Sequence, residues 1–198
     1  RESAPDTVIP MLRHRMSMMR SWANLAWTVK AGIPAPRTSS IRGPDADLAA
    51  FVMAMNVISR DVADDLVRQL QPLQFRRMLD VGAGPGTWAF AFLRAVPDAT
   101  AVLFDLPHAI ELARRKAEEA GLVHRIDFVV GDFYRDELPA NVDFTWVSAI
   151  THQNSREQNR ELFRKVFRAL EPGGQIAIRD VVLEPDRTAP LEGALFAV

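Results

Sequence analysis

The stretch Met78-Leu79-Asp80-Val81-Gly82-Ala83-Gly84-Pro85-Gly86-Thr87 decides how this chain folds. Its apolar start reads as a buried strand, its three glycines as a turn, and its end as the opening of a helix. Glycines at alternate positions leave no side chains where a ligand lies against the backbone. A dinucleotide-binding turn spaces them G-x-G-x-x-G. Here Gly86 comes one residue early, and Thr87 stands where that fingerprint needs glycine. Asp80 lies just before the turn, a poor neighbour for a pyrophosphate and a good one for a ligand carrying an ammonium and a sulfonium. The turn therefore favours S-adenosylmethionine over a nicotinamide cofactor.

Strands and helices alternate outward from this point. Strands are predicted over 78–82, 101–105, 126–130, 142–149 and 175–182, and helices near 87–95, 108–120 and 156–170. Pro107 and Gly121 bracket the second helix in the expected asymmetry, and Ser155 with Gln158 forms a capping box for the third. Such alternation implies an α/β fold with a Rossmann-like, doubly wound parallel sheet. Ligands bind beyond the carboxyl ends of its strands. Residues 1–72 read as helical, with one helix from Met11 to Lys30 closed by Gly32, Pro34 and Pro36, and a second from Asp47 to Leu70. Two domains are expected: a helical linker or dimerisation segment over 1–72 and a cofactor-binding domain over 73–198.

Bulk properties narrow the function. The 198 residues are 48% hydrophobic and 25% charged, with a net charge of −1. That balance fits a globular chain with a core and gives no general attraction to nucleic acid or anionic membrane. The absence of cysteine excludes disulfides and thiolate metal sites, and the four scattered histidines lack ligand spacing. No apolar run approaches the roughly 18 residues of a membrane span, and the N-terminus has no signal core. A cytoplasmic location is the expectation.

Candidate site residues fall after the strands. Asp105 closes the second strand, where a carboxylate accepts from both ribose hydroxyls; it also suits a helix N-cap, and the roles are compatible. Asp132 and Phe133 follow the third strand, the first placed to accept from an adenine amino group and the second to pack on the ring. Gly131-Asp132 is also a common turn. His152 follows the fourth strand and Asp180 lies near the end of the fifth. An imidazole of unperturbed pKa about 6.5 suits removal of a hydroxyl proton at neutral pH, and a carboxylate would fix its tautomer. On spacing alone, general base and ordinary loop residue are equal readings of His152.

Taken in order, the Asp80–Gly86 motif, Phe104-Asp105-Leu106-Pro107, Gly131-Asp132-Phe133, His152 and Pro172-Gly173-Gly174 resemble the S-adenosylmethionine-dependent O-methyltransferases. That family includes the plant caffeate and flavonoid enzymes and many bacterial natural-product enzymes. The resemblance implies that Asp80, Gly82 and Gly84 hold the methionine part, Asp105 and Leu106 the ribose, and Asp132 and Phe133 the adenine. It puts His152 on the catalytic histidine and Asp180 on a glutamate beside it. Ser148 stands where plant members have a cofactor-contacting lysine. Gln153-Asn154 replaces the usual Asp-Trp. Asp180 is one methylene shorter than glutamate, which predicts a longer or water-bridged contact with His152. The resemblance implies methyl transfer to a hydroxyl of a small aromatic or polyketide-like acceptor by a homodimer, with S-adenosylhomocysteine as product. The alternative is a non-catalytic S-adenosylmethionine-binding domain or incomplete core. Phe51, Met53, Met55 and Asn56 lie on a helix that an acceptor pocket would draw on, although a methionine-rich helix face is more often core or dimer packing than a substrate wall. Against the family pattern the chain resembles a fragment, and 175–182 is expected to present an exposed, apolar sheet edge, with Leu191–Val198 starting a helix.

Overall fold

The strand Met78–Val81 forms because Met78, Leu79 and Val81 are fully buried apolar residues flanked by a polar start and a glycine turn. In the computed structural model, residues 4, 7–33, 36, 38–186, 188–191 and 193 are described. They fall into two compact units, residues 59–181 and residues 1–58 with 182–198.

The larger unit is a sheet of five parallel strands: β1 (Arg77–Val81), β2 (Thr100–Asp105), β3 (Ile126–Val130), β4 (Val142–Ser148) and β5 (Leu170–Arg179). Their order is β3-β2-β1-β4-β5, all pairs parallel. The order reverses between β1 and β4, which opens a crevice at the carboxyl edge.

Side chains alternate across the sheet, so each strand feeds two cores. Met78, Leu103, Phe144 and Trp146 pack in one cluster with Phe92 and Trp88 of a helix over Thr87–Ala95 and with Ile110 and Ala113 of a helix over Pro107–Glu119. Leu79, Val81, Val102, Phe104 and Val147 pack in the other with Leu162 and Val166 of a helix over Arg156–Ala169. Ala63 and Val67 belong to the first cluster, so the end of the preceding helix is part of this unit.

In chain order the helices are α1 (Ile9–Trp22), α2 (Leu25–Ala31), α3 (Pro44–Gln69), α4 (Thr87–Ala95), α5 (Pro107–Glu119) and α6 (Arg156–Ala169). The smaller unit holds α1, α2 and the first part of α3. The single helix expected over 11–30 is two, broken at Ala23 and Asn24. The Asn24 amide donates to the Arg20 carbonyl at 2.9 Å, a local bond that competes with helix propagation. No residue of α1 or α2 is buried, and Met16, Met19, Trp22 and Trp27 are exposed.

The strand expected over 175–182 runs instead from Leu170 to Arg179. Leu170 pairs with Val142 ahead of a register shift, and Gln175 resumes the ladder opposite Phe144. Pro172-Gly173-Gly174 sits inside that irregularity. Proline cannot donate to a ladder and is accommodated on an edge strand. Among the described residues β5 is an edge, with Ile176 and Ile178 exposed. The helix expected over Leu191–Val198 lies largely outside the described residues.

Directly after β3, position 131 requires glycine because the buried Phe104 ring fills the space beside it; a Cβ there would overlap that ring. Gly131→Ala is expected to lower stability by about 1–3 kcal/mol through overpacking, read as a drop in the urea midpoint with unchanged slope. An unchanged midpoint would show that Phe104 moves freely.

Candidate active site

The turn after β1 holds three left-handed residues in succession on alternate positions, Gly82 (φ 66°), Gly84 (φ 54°) and Gly86 (φ 82°). Side chains at two of them would collide: a Cβ on Gly82 lies 2.7 Å from Ile150 and one on Gly86 lies 2.7 Å from Phe90. Gly84 differs, because a Cβ there would meet nothing within 4 Å. Its open side is a cradle that another molecule can occupy.

With no polar side chain of its own, the turn is held from β2. The Phe104 carbonyl accepts the Gly82 amide at 2.9 Å. One Asp105 oxygen accepts the Gly84 amide at 2.7 Å and the other accepts the Leu106 amide at 2.6 Å. Burial pushes the Asp105 carboxyl up, while those two N–H groups and His108 oppose the shift. Asp105 therefore sits beside the cradle, and Leu106, 42% exposed, lies next to it.

Asp80 lies deeper. It is 2% exposed, and its Oδ2 is buried with no hydrogen-bond partner. Burial raises its pKa to about 8, with a further push from Asp105, while the Ala89 N–H in the first turn of α4 pulls the other way. Burial thus favours the protonated form of Asp80. An arriving cation would favour the ionised form.

The loop after β3 is organised by its own polar groups. Asp132 accepts the Tyr134 amide at 2.9 Å, and Asp136 accepts the Asp132 amide at 2.8 Å. The Phe133 and Tyr134 rings lie 4.4 Å apart, tilted by 48°. Lys165 of α6, buried at 5% exposure, donates to the Phe133 carbonyl at 2.9 Å and the Asp136 carbonyl at 2.7 Å. Sequence reasoning missed Lys165, which occupies an inward position of a mostly polar helix.

His152 and Asp180 meet directly. His152 Nδ1 lies 2.7 Å from Asp180 Oδ1, so the contact predicted to be longer or water-bridged is short. The reason is the position of the backbone, which brings the two loops together without the extra methylene. Asp180 Oδ2 accepts the Thr151 amide at 2.7 Å, the Thr151 hydroxyl at 2.6 Å and the His152 amide at 3.2 Å, and Oδ1 accepts the Val181 amide at 2.8 Å. Burial alone would raise the Asp180 pKa, but the bonds from Thr151, Val181 and His152 prevail and hold it below the usual value. It is an ionised acceptor that fixes the ring. Thr151 was not foreseen; its place beside His152 was the available signal. A chain of side chains continues from there: Asn159 donates to the Thr151 carbonyl, Asn154 donates to Asn159, and Tyr134 donates to Asn154 at 2.6 Å.

Ser148 ends β4, and its hydroxyl accepts from Arg179 at 3.3 Å. The turn, Asp105, the Asp132–Phe133 loop, Ser148, and the His152–Asp180 pair thus share one edge of the sheet. Their donor and acceptor set suits a ligand with an adenosine and a cationic amino-acid end.

The comparisons agree with that class. Residues 18–198 match the model of the O-methyltransferase domain family, and the chain belongs to that family. It is similar to a 3-hydroxy-5-methyl-1-naphthoate 3-O-methyltransferase of Streptomyces sahachiroi, 28% identical over 89% of this chain and 52% of the relative. It is also similar to the phenazine O-methyltransferase PhzM of Lysobacter antibioticus, 31% identical over 98% of this chain and 58% of the relative. The chain thus spans little more than half the length of these relatives. The solved structure of PigF with SAH superimposes with a TM-score of 0.83 at 23% identity, covering 98% of this chain and 62% of that one, which shows the shared fold.

The buried acid at the base of the site makes stability pH-dependent. Because the folded pKa of Asp80, about 8, exceeds its unfolded value, the folded form binds the proton more tightly. Its stabilising share is complete at low pH and is lost as pH rises from about 4 to about 8. Asp80→Asn, neutral and of the same shape, is expected to flatten that fall. The gap between variant and wild type should widen by about 2–4 kcal/mol in the variant's favour from pH 5 to pH 8, measured by urea unfolding at both pH values. Parallel pH profiles would mean that Asp80 is ionised in the folded protein.

Proposed function

We propose that this chain is the catalytic part of an S-adenosylmethionine-dependent O-methyltransferase that methylates a hydroxyl of a small aromatic or polyketide-like molecule. Family membership supports the reaction class, and the naphthoate and phenazine enzymes among its relatives support the acceptor class. S-adenosylmethionine supplies an electrophilic methyl group on its sulfonium when bound. Gly82 and Gly84 give backbone to its methionine end, with Asp80 beneath. Asp105 and Leu106 hold the ribose, Asp132 and Phe133 the adenine, and Ser148 borders the site.

The observation that carries the mechanism is the 2.7 Å contact between His152 Nδ1 and Asp180. An ionised carboxylate accepts from Nδ1–H, which leaves the acceptor lone pair on Nε2. That nitrogen takes the proton of the acceptor hydroxyl, and Asp180 stabilises the imidazolium that results. The same division of labour runs a hydrolase triad. Thr151 keeps Asp180 oriented during the transfer.

The protein acts as a homodimer in the cytoplasm in this reading. The exposed Met16, Met19, Trp22 and Trp27 form the apolar surface that a second subunit would cover. No helix among the described residues is long and apolar enough to cross a membrane.

Two variants separate binding from chemistry. Asp105→Ala is expected to weaken S-adenosylhomocysteine binding by about 1.5–3 kcal/mol in a calorimetric titration; unchanged affinity would remove Asp105 from the ribose site. His152→Ala is expected to keep that affinity and to lower turnover of a hydroxyaryl acceptor by roughly 10²–10⁴ in the full-length enzyme. Turnover within a few-fold of wild type would mean that the acceptor ionises without help.

A further inference from the structure

Arg179 closes β5 at the carboxyl edge, one residue before the Asp180 that orients His152. The register sets it opposite Ser148, on the sheet face it shares with Ala177 and Trp146. Its guanidinium lies 5.0 Å from the centre of the Trp88 ring and gives one long hydrogen bond, 3.3 Å, to the Ser148 hydroxyl. A guanidinium carries five N–H donors. Among the described residues no carboxylate lies within ion-pair reach of it.

Other arginines of the same unit have partners for their charge. Arg125 donates to the carbonyls of Leu93, Val96 and Ala99. Arg77 pairs with Asp127 and Arg94 with Asp64. Arg179 alone of these combines half-burial, a fixed stacking platform and a place beside the glycine turn. Trp88 stands in the first turn of α4, where the helix end also favours negative charge. A planar cation held in this way matches a carboxylate in a two-point contact.

We infer that Arg179, stacked on Trp88 beside Ser148, is the carboxylate-binding group of this site. The inference rests on the reading of the site given above. The carboxylate comes either from the amino-acid end of the cofactor or from an acidic hydroxyaryl acceptor, and one experiment distinguishes them. Arg179→Met keeps a stem to pack on Trp88 and removes the charge. Arg179→Lys keeps the charge without the planar fork. Wild type and both variants, with folding checked by thermal melts, are titrated with S-adenosylhomocysteine and with 5′-methylthioadenosine, which lacks the amino-acid end. With the nucleoside site filled, they are then titrated with a hydroxynaphthoate and its carboxamide.

For a cofactor carboxylate, Arg179→Met weakens S-adenosylhomocysteine roughly tenfold or more, as expected for a charge-assisted hydrogen bond. It leaves methylthioadenosine unchanged, and Arg179→Lys recovers part of the loss. For an acceptor carboxylate, S-adenosylhomocysteine is unaffected and the wild-type preference for acid over carboxamide disappears in Arg179→Met. A folded Arg179→Met protein that binds all four probes as wild type does overturns the inference and leaves the cofactor reading standing. A wild-type protein that does not bind S-adenosylhomocysteine overturns both.

Discussion

The Asp105 carboxylate, accepting the amides of Gly84 and Leu106 at 2.7 and 2.6 Å, is the interaction on which the ligand edge depends. A turn of left-handed glycines interleaved with Ala83 and Pro85 has no polar side chain with which to anchor itself, and its backbone freedom is costly to freeze. Anchorage must come from the neighbouring strand, and Asp105 provides it. The same device recurs on the other side of the sheet. Asp180, at the end of β5, gathers the amides of Thr151 and His152 after β4. Lys165 does the converse for the loop after β3, donating to two of its carbonyls. Each loop of the edge is held by a charged group from a different element.

This arrangement concentrates uncomfortable groups. Asp80 is buried with an oxygen that lacks a partner, close enough to Asp105 to raise its pKa further. Unpaired buried oxygens are costly, and two carboxyls in one low-dielectric region do not both ionise readily. Such residues persist where a ligand repays the strain on arrival. Two further buried orphans, the hydroxyl of Thr145 and the indole nitrogen of Trp146, sit on β4, the strand next to β1.

The central fold was readable because its signals were local. β1 to β4 and α4 to α6 fall within a residue or two of their expected bounds, since glycine, proline and capping residues mark their ends. β5 was misplaced because Pro172-Gly173-Gly174 reads as a turn, whereas pairing of Leu170 with Val142 lets the strand begin before it. The break between α1 and α2 was hidden because Asn24 differs little from other polar residues in a helical pattern. At the site, the residue types that face a ligand were visible in order along the chain. Those that position them were not. Thr151, Lys165 and the stack of Arg179 on Trp88 depend on which strands lie side by side, and no spacing in the sequence encodes that adjacency.

Every residue role at this edge depends on which cofactor binds there, and that choice turns on Gly86 standing one position early and on Asp80 preceding the turn. Parallel calorimetric titrations of the protein with S-adenosylhomocysteine and with NAD test it most directly. Saturable one-to-one binding of S-adenosylhomocysteine is expected, with no measurable heat from NAD. Saturable binding of NAD, with S-adenosylhomocysteine inert, would contradict it.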